Sequence, residues 1–317
     1  MEKIKLLYEG KAKRVYSTSN EDELIIEFKD DATAFDGQKR AVISGKGEAN
    51  CAISSKIFEL LTIEGIPNHY IKRLNDRDML VKNVNIFPIE VIVRNRVAGS
   101  MARRLGLEEG TLIEKSILEF CYKSDELHDP MINEDHILVL KLATEEELSI
   151  IKSLSLKTND VLIKFFKACN LDLIDMKFEF GKDKNGNIYL ADEISPDTCR
   201  LWELGTTLSW DKDRFRKDLG QVEEAYREVK GRVLNTPIEG KVRILIRLKP
   251  QILDAQGSVI MNALKSLGFD EVIGVRAGKL LELTLDKRID QVERLEKMCK
   301  ELLVNPVMED FDWEWIE

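Results

Sequence analysis

Apolar and polar positions alternate along the chain in a way that divides it into short strands and a few amphipathic helices. LIIEF (Leu24–Phe28) reads as a short apolar strand after an N-terminal stretch of strand and turn signals. From Gly47 to Glu64, Ala49, Ile53, Ile57 and Leu60 recur on one helical stripe. MLVKNV and IEVIVRNR read as two more strands. Thr144 followed by Glu147 is a capping box, and the helix it opens is expected to break near Lys157–Asn159. Phe215, Leu219, Val222, Tyr226 and Val229 form one helical stripe that is expected to end at Gly231. The stretch Gly231–Lys241, with Pro237 and two glycines, is the linker candidate, so the domains are expected at 1–235 and 236–317. The tail reads as KVRILIRLK (strand), AQGSVIMNALKSLG (helix), VIGVRAGKLLELTL (strand, turn, strand), RIDQVERLEKMCKELL (helix) and FDWEWI (strand). That βαββαβ order is ferredoxin-like.

The sharpest local pattern is LIDMKFEF (Leu173–Phe180). Asp175, Lys177 and Glu179 fall on one strand face, and Ile174, Met176, Phe178 and Phe180 on the other. Asn185-Gly186 beyond it signals a two-residue hairpin loop, which would set Glu179 directly opposite Asp192. Opposed side chains lie roughly 4.5–5.5 Å apart, so the two carboxylates would repel unless they shared a cation such as Mg²⁺. An ordinary two-faced sheet with its polar side in water accounts for the same alternation.

Composition narrows the function classes. With 317 residues and a net charge of −9, the chain has no global basic field for nucleic acid, and any anion site is local. No apolar run reaches the roughly 18 residues of a membrane span, and MEKIKLLYEG lacks a signal-peptide core. The five cysteines form no C-x-x-C pair, which argues against zinc and disulfides and for a reducing cytoplasm.

Four further segments could carry chemistry. Gly10-Lys11-Ala12-Lys13 sits between two short strands and is either a phosphate-covering loop or a plain hairpin turn. Arg94 and Arg96 share one strand face ahead of Gly99-Ser100, where an anion site and ion pairs to carboxylates such as Glu90 both fit. HDPMINEDH holds His128, Asp129 and His136 without zinc-ligand spacing. EISPDTCRLWE places Asp197 and Arg200 in a loop or capped turn after an acidic strand end.

Taken in order, LYEGKAKRVY, VIVRNRVAGS, HDPMINEDH, DMKFEFG, ADEISPDTCRLW and DKDRFRKDLG resemble the SAICAR synthetase family over residues 1–235. VRILIRLKPQILDAQG, ALKSLGFDEV, VRAGKLLEL and LLVNPVMEDF resemble the small PurS subunit of formylglycinamidine ribonucleotide synthetase over residues 240–317. The first resemblance implies an α+β, two-lobed fold: a β-rich, kinase-like or ATP-grasp-like nucleotide lobe and an α+β lobe. It implies a ligase of purine biosynthesis that joins L-aspartate to carboxyaminoimidazole ribonucleotide (CAIR), using ATP and Mg²⁺ through an acyl phosphate. By the same resemblance, Gly10, Lys11, Ala12 and Lys13 form the nucleotide loop, and Val81 and Lys82 begin the adenine hinge. Glu179 and Asp192 are metal-associated. Arg94, Ser100, Arg200 and Asp197 bind the ribonucleotide, and Lys123, Asp129, Asp175 and Lys177 line the reacting end. The second resemblance implies an assembly domain that pairs with itself and with glutaminase and large synthetase subunits.

Overall fold

The computed structural model describes residues 2–34, 39–286 and 291–316. The chain separates into two compact units, Met1–Thr236 and Pro237–Glu317.

The front unit begins with strands β1 (Lys5–Glu9), β2 (Lys13–Ser17) and β3 (Glu23–Phe28), then a two-stranded ribbon of β4 (Asp31–Ala34) and β5 (Lys39–Val42). Helix α1 (Lys46–Ile63) follows, then β6 (Tyr70–Arg73) and β7 (Asp78–Lys82). These close a five-stranded sheet in the order β1-β2-β3-β7-β6. The stripe Ala49, Ile53, Ile57 and Leu60 is buried, but so are Cys51, Ala52 and Phe58 between those positions. The helix is therefore a core element rather than an amphipathic cover.

A second sheet holds β8 (Asn85–Arg96), β9 (Leu112–Tyr122), β10 (Met131–Ile132), β11 (Leu171–Lys182), β12 (Ile188–Ala191) and β13 (Cys199–Glu203). The order is β10-β9-β8-β11-β12, with β13 also pairing with β11. Helices α2 (Ser100–Leu105), α3 (Glu134–Val139), α4 (Glu145–Ala168), α5 (Asp213–Arg216) and α6 (Val222–Asn235) complete the unit.

Three local expectations change here. Helix α4 has the capping box at Thr144 and Glu147 but runs unbroken through Lys157–Asn159. Lys157 is exposed, but Thr158 and Asn159 are buried, and Asn159 exchanges amide hydrogen bonds with Asn95 of β8 and reaches Ser116 of β9. The Phe215–Val229 stripe is two helices, because Asp218, Gly220 and Gln221 take positive φ between them. Phe215 and Tyr226 nevertheless meet in one apolar cluster with Ala32, Ile43 and Ala49. Finally, α6 passes through Gly231 to Asn235, which shortens the linker to residues 236–238.

The second unit comprises β14 (Glu239–Leu248), α7 (Ala255–Ser266), β15 (Gly278–Asp286), α8 (Gln291–Met298) and β16 (Glu309–Ile316), with sheet order β15-β14-β16. Val272–Val275 takes no strand conformation, so five elements stand where the sequence suggests six. The start of the second helix, Arg288–Asp290, lies outside the described residues. Val242, Ile244 and Ile246 of β14 pack on Leu295, Cys299 and Val304. No described helix is long and apolar enough to cross a membrane, and all five cysteines are buried free thiols.

Candidate active site

The β11 hairpin closes with a three-residue loop. Asp183 N–H donates to Asn187 O, Gly186 takes φ +87°, and the Asp183 carboxylate accepts the N–H groups of Asn185 and Asn187. A left-handed third loop residue adds one position to the turn. The register therefore shifts by one, and Glu179 lies opposite Ala191, not Asp192. Glu179 and Asp192 still share one charged cluster. Asp192 lies just past the end of β12 and takes φ +61°, which turns the chain back toward the cluster.

Strand β11 carries the cluster because its polar face is covered. Asp175 is 5% exposed and Glu179 6%. On β8, Arg94 stands opposite Asp175 and Glu90 opposite Glu179. The second of these is a like-charged pair, and two lysines neutralise it. Lys177 Nζ lies 2.5 Å from Glu90 Oε1, and Lys123 Nζ lies 2.5 Å from Glu179 Oε2. From the first sheet, the start of β2, where the turn from β1 ends, adds Lys13, whose ammonium pairs with Asp192 and lies 3.8 Å from Glu193. Gly10 N–H closes that turn on Lys13 O at 2.8 Å. Burial pulls the Lys13 ammonium down, but Asp192, Glu193 and Glu179 outweigh it and hold its pKa above the ordinary lysine value. Burial, with repulsion from Asp192, raises Glu179. Burial also lifts Glu193 to about 7.

Roughly 13 Å away along β11, at the ~3.3 Å rise per strand residue, Asp175 holds a second group. It sits between Arg94 of β8 and Arg200 of β13, its cross-strand neighbours on either side. Arg94 Nη1 donates to Asp175 Oδ2 at 2.9 Å, and Arg200 Nη1 donates to both oxygens at 3.0 and 2.7 Å. Arg94 also reaches Glu119 at 2.6 Å and Ser100 Oγ at 3.1 Å. Gly99 takes φ +57°, and a Cβ there would lie 2.5 Å from Arg200 Nη2, so only glycine lets this guanidinium approach. Arg96 is separated from Arg94 by a bulge and pairs with Asp172 and Gly110 O, away from the group.

Arg200 is anchored from behind by Asp213, whose Oδ2 accepts its Nε–H at 2.9 Å while Oδ1 accepts from Arg216. Burial raises the Asp213 carboxyl, but Arg200 and Arg216 outweigh it and hold it down at about 2. A folded-state pKa below the unfolded value contributes stability above the unfolded value and loses it as pH falls through the folded one. Asp213→Asn is therefore expected to lower stability near pH 7 by about 2 kcal/mol. Its deficit in urea midpoint relative to the parent should narrow between about pH 4 and pH 2. A deficit that stayed constant across that window would refute the assignment.

The other candidates fall in different places. Asp129 follows His128 in a loop at φ +48°, and its Oδ1 accepts Ser124 N–H beside Lys123. His136 caps α3 through Asn133. Val81 is buried in β7. Lys82 donates its N–H to His69 O, and its ammonium lies over the Tyr189 ring. Asp197 lies close enough to Glu193 for its charge to act on that carboxyl. It is buried, with Oδ1 on Tyr226 OH and Oδ2 on Lys46 and Asn50, so it ties α1 to α6.

Sequence reasoning missed Lys46, Glu193 and His69. Lys46, in SGKGE, is fully buried between Gly45 and Gly47, and those flanking glycines were the available signal. Glu193 follows Asp192, where strand alternation would point it away. His69, in IPNHY, carried no pattern at all.

Among the described residues, no three histidine, cysteine or carboxylate side chains converge enough to hold a metal alone. Glu193 Oε2 is buried without a hydrogen-bond partner beside Asp192. One or two carboxylates with such a spare hard oxygen suit Mg²⁺, which fills its octahedron with water and phosphate oxygens.

Residues 6–233 match the family described as SAICAR synthetase, and residues 241–317 match PurS, described as phosphoribosylformylglycinamidine (FGAM) synthase. A phosphoribosylaminoimidazole-succinocarboxamide synthase of Caldanaerobacter subterraneus subsp. tengcongensis is 59% identical over 233 residues, covering 74% of this chain and 99% of that protein. The crystal structure of a synthase of the same name from Ehrlichia chaffeensis superposes with a TM-score of 0.71 at 47% identity, covering 74% of this chain and 100% of that one. A structure of SAICAR synthetase (Type-2) in complex with ADP superposes with a TM-score of 0.69 at 49% identity, covering 71% of this chain and 96% of that one. The chain belongs to the SAICAR synthetase family of purine-biosynthesis enzymes and carries a PurS-family domain after it.

Proposed function

We propose that the front unit joins L-aspartate to CAIR, converting ATP to ADP and phosphate and yielding SAICAR. The observation that carries this reading is the row Asp175, Lys177, Glu179 on β11. It links an arginine pair suited to a phosphate with a carboxylate–lysine cluster that Lys13 at the start of β2 reaches. The ADP bound to the Type-2 relative supports binding of a nucleotide.

The CAIR carboxylate is a poor electrophile. One of its oxygens attacks the γ-phosphorus, the bond to the β-phosphate oxygen breaks, and an acyl phosphate forms. The aspartate amine then adds to the carbonyl carbon, the bond to phosphate breaks, and the nitrogen loses a proton. Arg94, Arg200 and Ser100 hold the ribonucleotide phosphate through planar, charge-assisted donors. Lys13 neutralises nucleotide phosphates, the adenine packs at Val81 and Lys82, and Lys123 and Lys177 stabilise charge on the transferring phosphoryl group. Glu179 and Asp192, with Glu193 adjacent, would hold Mg²⁺, which supplies charge neutralisation at the phosphates when bound. Both Asp175 oxygens are engaged by guanidinium groups, so Asp175 positions the arginines, and Asp129 is left to orient the amine or take its proton.

The PurS-family unit serves assembly, through self-association and through glutaminase and large subunits of formylglycinamidine ribonucleotide synthetase. The free buried thiols fit a reducing, cytoplasmic setting.

Purified full-length chain should release ADP only when CAIR, L-aspartate and Mg²⁺ are all present, with SAICAR formed one-to-one. ADP release independent of CAIR or aspartate would sink the ligase reading. Failure to co-purify with either synthetase subunit would sink the assembly reading.

A further inference from the structure

Pro67–His69 belongs to no strand or helix, yet it bonds to both sheets of the front unit. Leu190 of β12 donates its N–H to Pro67 O at 3.0 Å, and His69 N–H donates back to Leu190 O at 2.9 Å. On the other side, His69 O accepts the N–H of Lys82, the last residue of β7, at 2.7 Å. The His69 side chain then reaches past β12. Its Nε2 lies 3.1 Å from the carbonyl oxygen of Asp192. A carbonyl oxygen only accepts, so Nε2 carries the proton there. The ring is 3% exposed and packs edge-on against Phe58, with centroids 5.2 Å apart, which leaves it little room to swing away.

The residue it grips is the one whose backbone needs holding. Asp192 takes φ +61°, a region where a side chain crowds the backbone and which persists only when the surroundings enforce it. That turn brings the Asp192 carboxylate to Lys13 and into the field of Lys177, Lys123 and Glu179. An extended Asp192 would continue the β12 alternation and point elsewhere.

We propose that His69 is a positioning residue of the nucleotide site. It fixes the left-handed turn at Asp192 and ties that turn to Lys82, so the base-binding strand end and the phosphate-side carboxylate keep one spacing. The proposal rests on the nucleotide reading given above. It gives His69 no contact with substrate.

The test uses three full-length variants. His69→Gln places an amide N–H within reach of Asp192 O. His69→Asn carries the same amide on a shorter stem. His69→Leu fills the space against Phe58 without a donor. ADP binding is measured by calorimetry in Mn²⁺, bound Mn²⁺ by electron paramagnetic resonance, and KM for each substrate by steady-state kinetics. Groups that orient a metal-binding carboxylate from behind typically govern ~10–100-fold in affinity, so Asn and Leu should weaken Mn²⁺–ADP by about tenfold or more and raise KM for ATP in step. KM for CAIR and for aspartate should stay within about twofold, and Gln should stay within about threefold of the parent. The assignment is overturned if Asn and Leu bind Mn²⁺–ADP as the parent does, or if Gln is as weak as Asn. It is also overturned if all three KM values rise together with a fall in Tm. Binding is read apart from turnover, so a parent chain that binds Mn²⁺–ADP but makes no SAICAR refutes the reaction, while the Gln–Asn contrast still decides the role of His69.

Discussion

Asp192→Asn is expected to lower turnover by about 10²–10³-fold, the range seen when one preorganised charge-stabilising group is removed. The substitution is close to isosteric, and asparagine tolerates positive φ better than most residues, so the turn at +61° survives. What changes is the charge. Lys13 loses its nearest carboxylate and keeps Glu193 at 3.8 Å and the field of Glu179. A hard cation would lose one of the few oxygens in the cluster able to bind it. The effect should appear as a steeper Mg²⁺ requirement for ADP release, read from initial rates across a Mg²⁺ titration. Near-parental turnover with an unchanged Mg²⁺ dependence would remove Asp192 from the site.

Asp175→Leu is expected to have the largest effect on stability. Among the described residues, Asp175 is the one carboxylate that pairs with both Arg94 and Arg200, and Arg94 is 2% exposed. Removing it sets two guanidinium groups against each other in a nearly dry site. Breaking a buried ion pair from one side typically costs about 3–5 kcal/mol, because the partner charge stays buried. Arg94 keeps Glu119 and Arg200 keeps Asp213, which places the expected loss toward the lower end of that range. Urea denaturation of the full chain should show the shift, and KM for CAIR should rise because neither arginine is held in place. A variant with parental stability and parental KM would show that the arginines are positioned without Asp175.

The two predictions draw on opposite ends of one strand, and this reflects how the site is built. β11 is the central strand to which β8, β12 and β13 all pair. Its polar row therefore collects partners from three directions, and the paired charges need no solvent to satisfy them. A polar strand face normally signals exposure. Here it belongs to a buried cluster of paired charges, because the start of β2 in the first sheet delivers Lys13 to Asp192.

Periodicity by itself determined the strands LIIEF and IEVIVRNR, the helix read over residues 47–64, the capping box at Thr144 and the polar row on β11. All of these are decided by contacts within a few residues, which a single chain segment carries with it. The ordered motifs determined the family. Only the tertiary structure decided the rest. Asn185-Gly186 suggested a two-residue loop, but Gly186 takes the third, left-handed position of a longer one, and that single added residue shifted every pair in the hairpin. Lys157–Asn159 looked like a helix break because polar residues usually face water. Asn159 instead faces the sheet, where Asn95 and Ser116, far away in sequence, satisfy its amide. Arg94 and Arg96 looked equivalent until a bulge in the pairing with β9 gave them separate partners. Glu193 and His69 had no sequence signature, and Lys46 only its flanking glycines, since a buried charge or imidazole is tolerated only through partners that long-range folding supplies. Asp197 follows a strand end, and only the packing of α1 on α6 gave its carboxylate the partners Tyr226, Lys46 and Asn50.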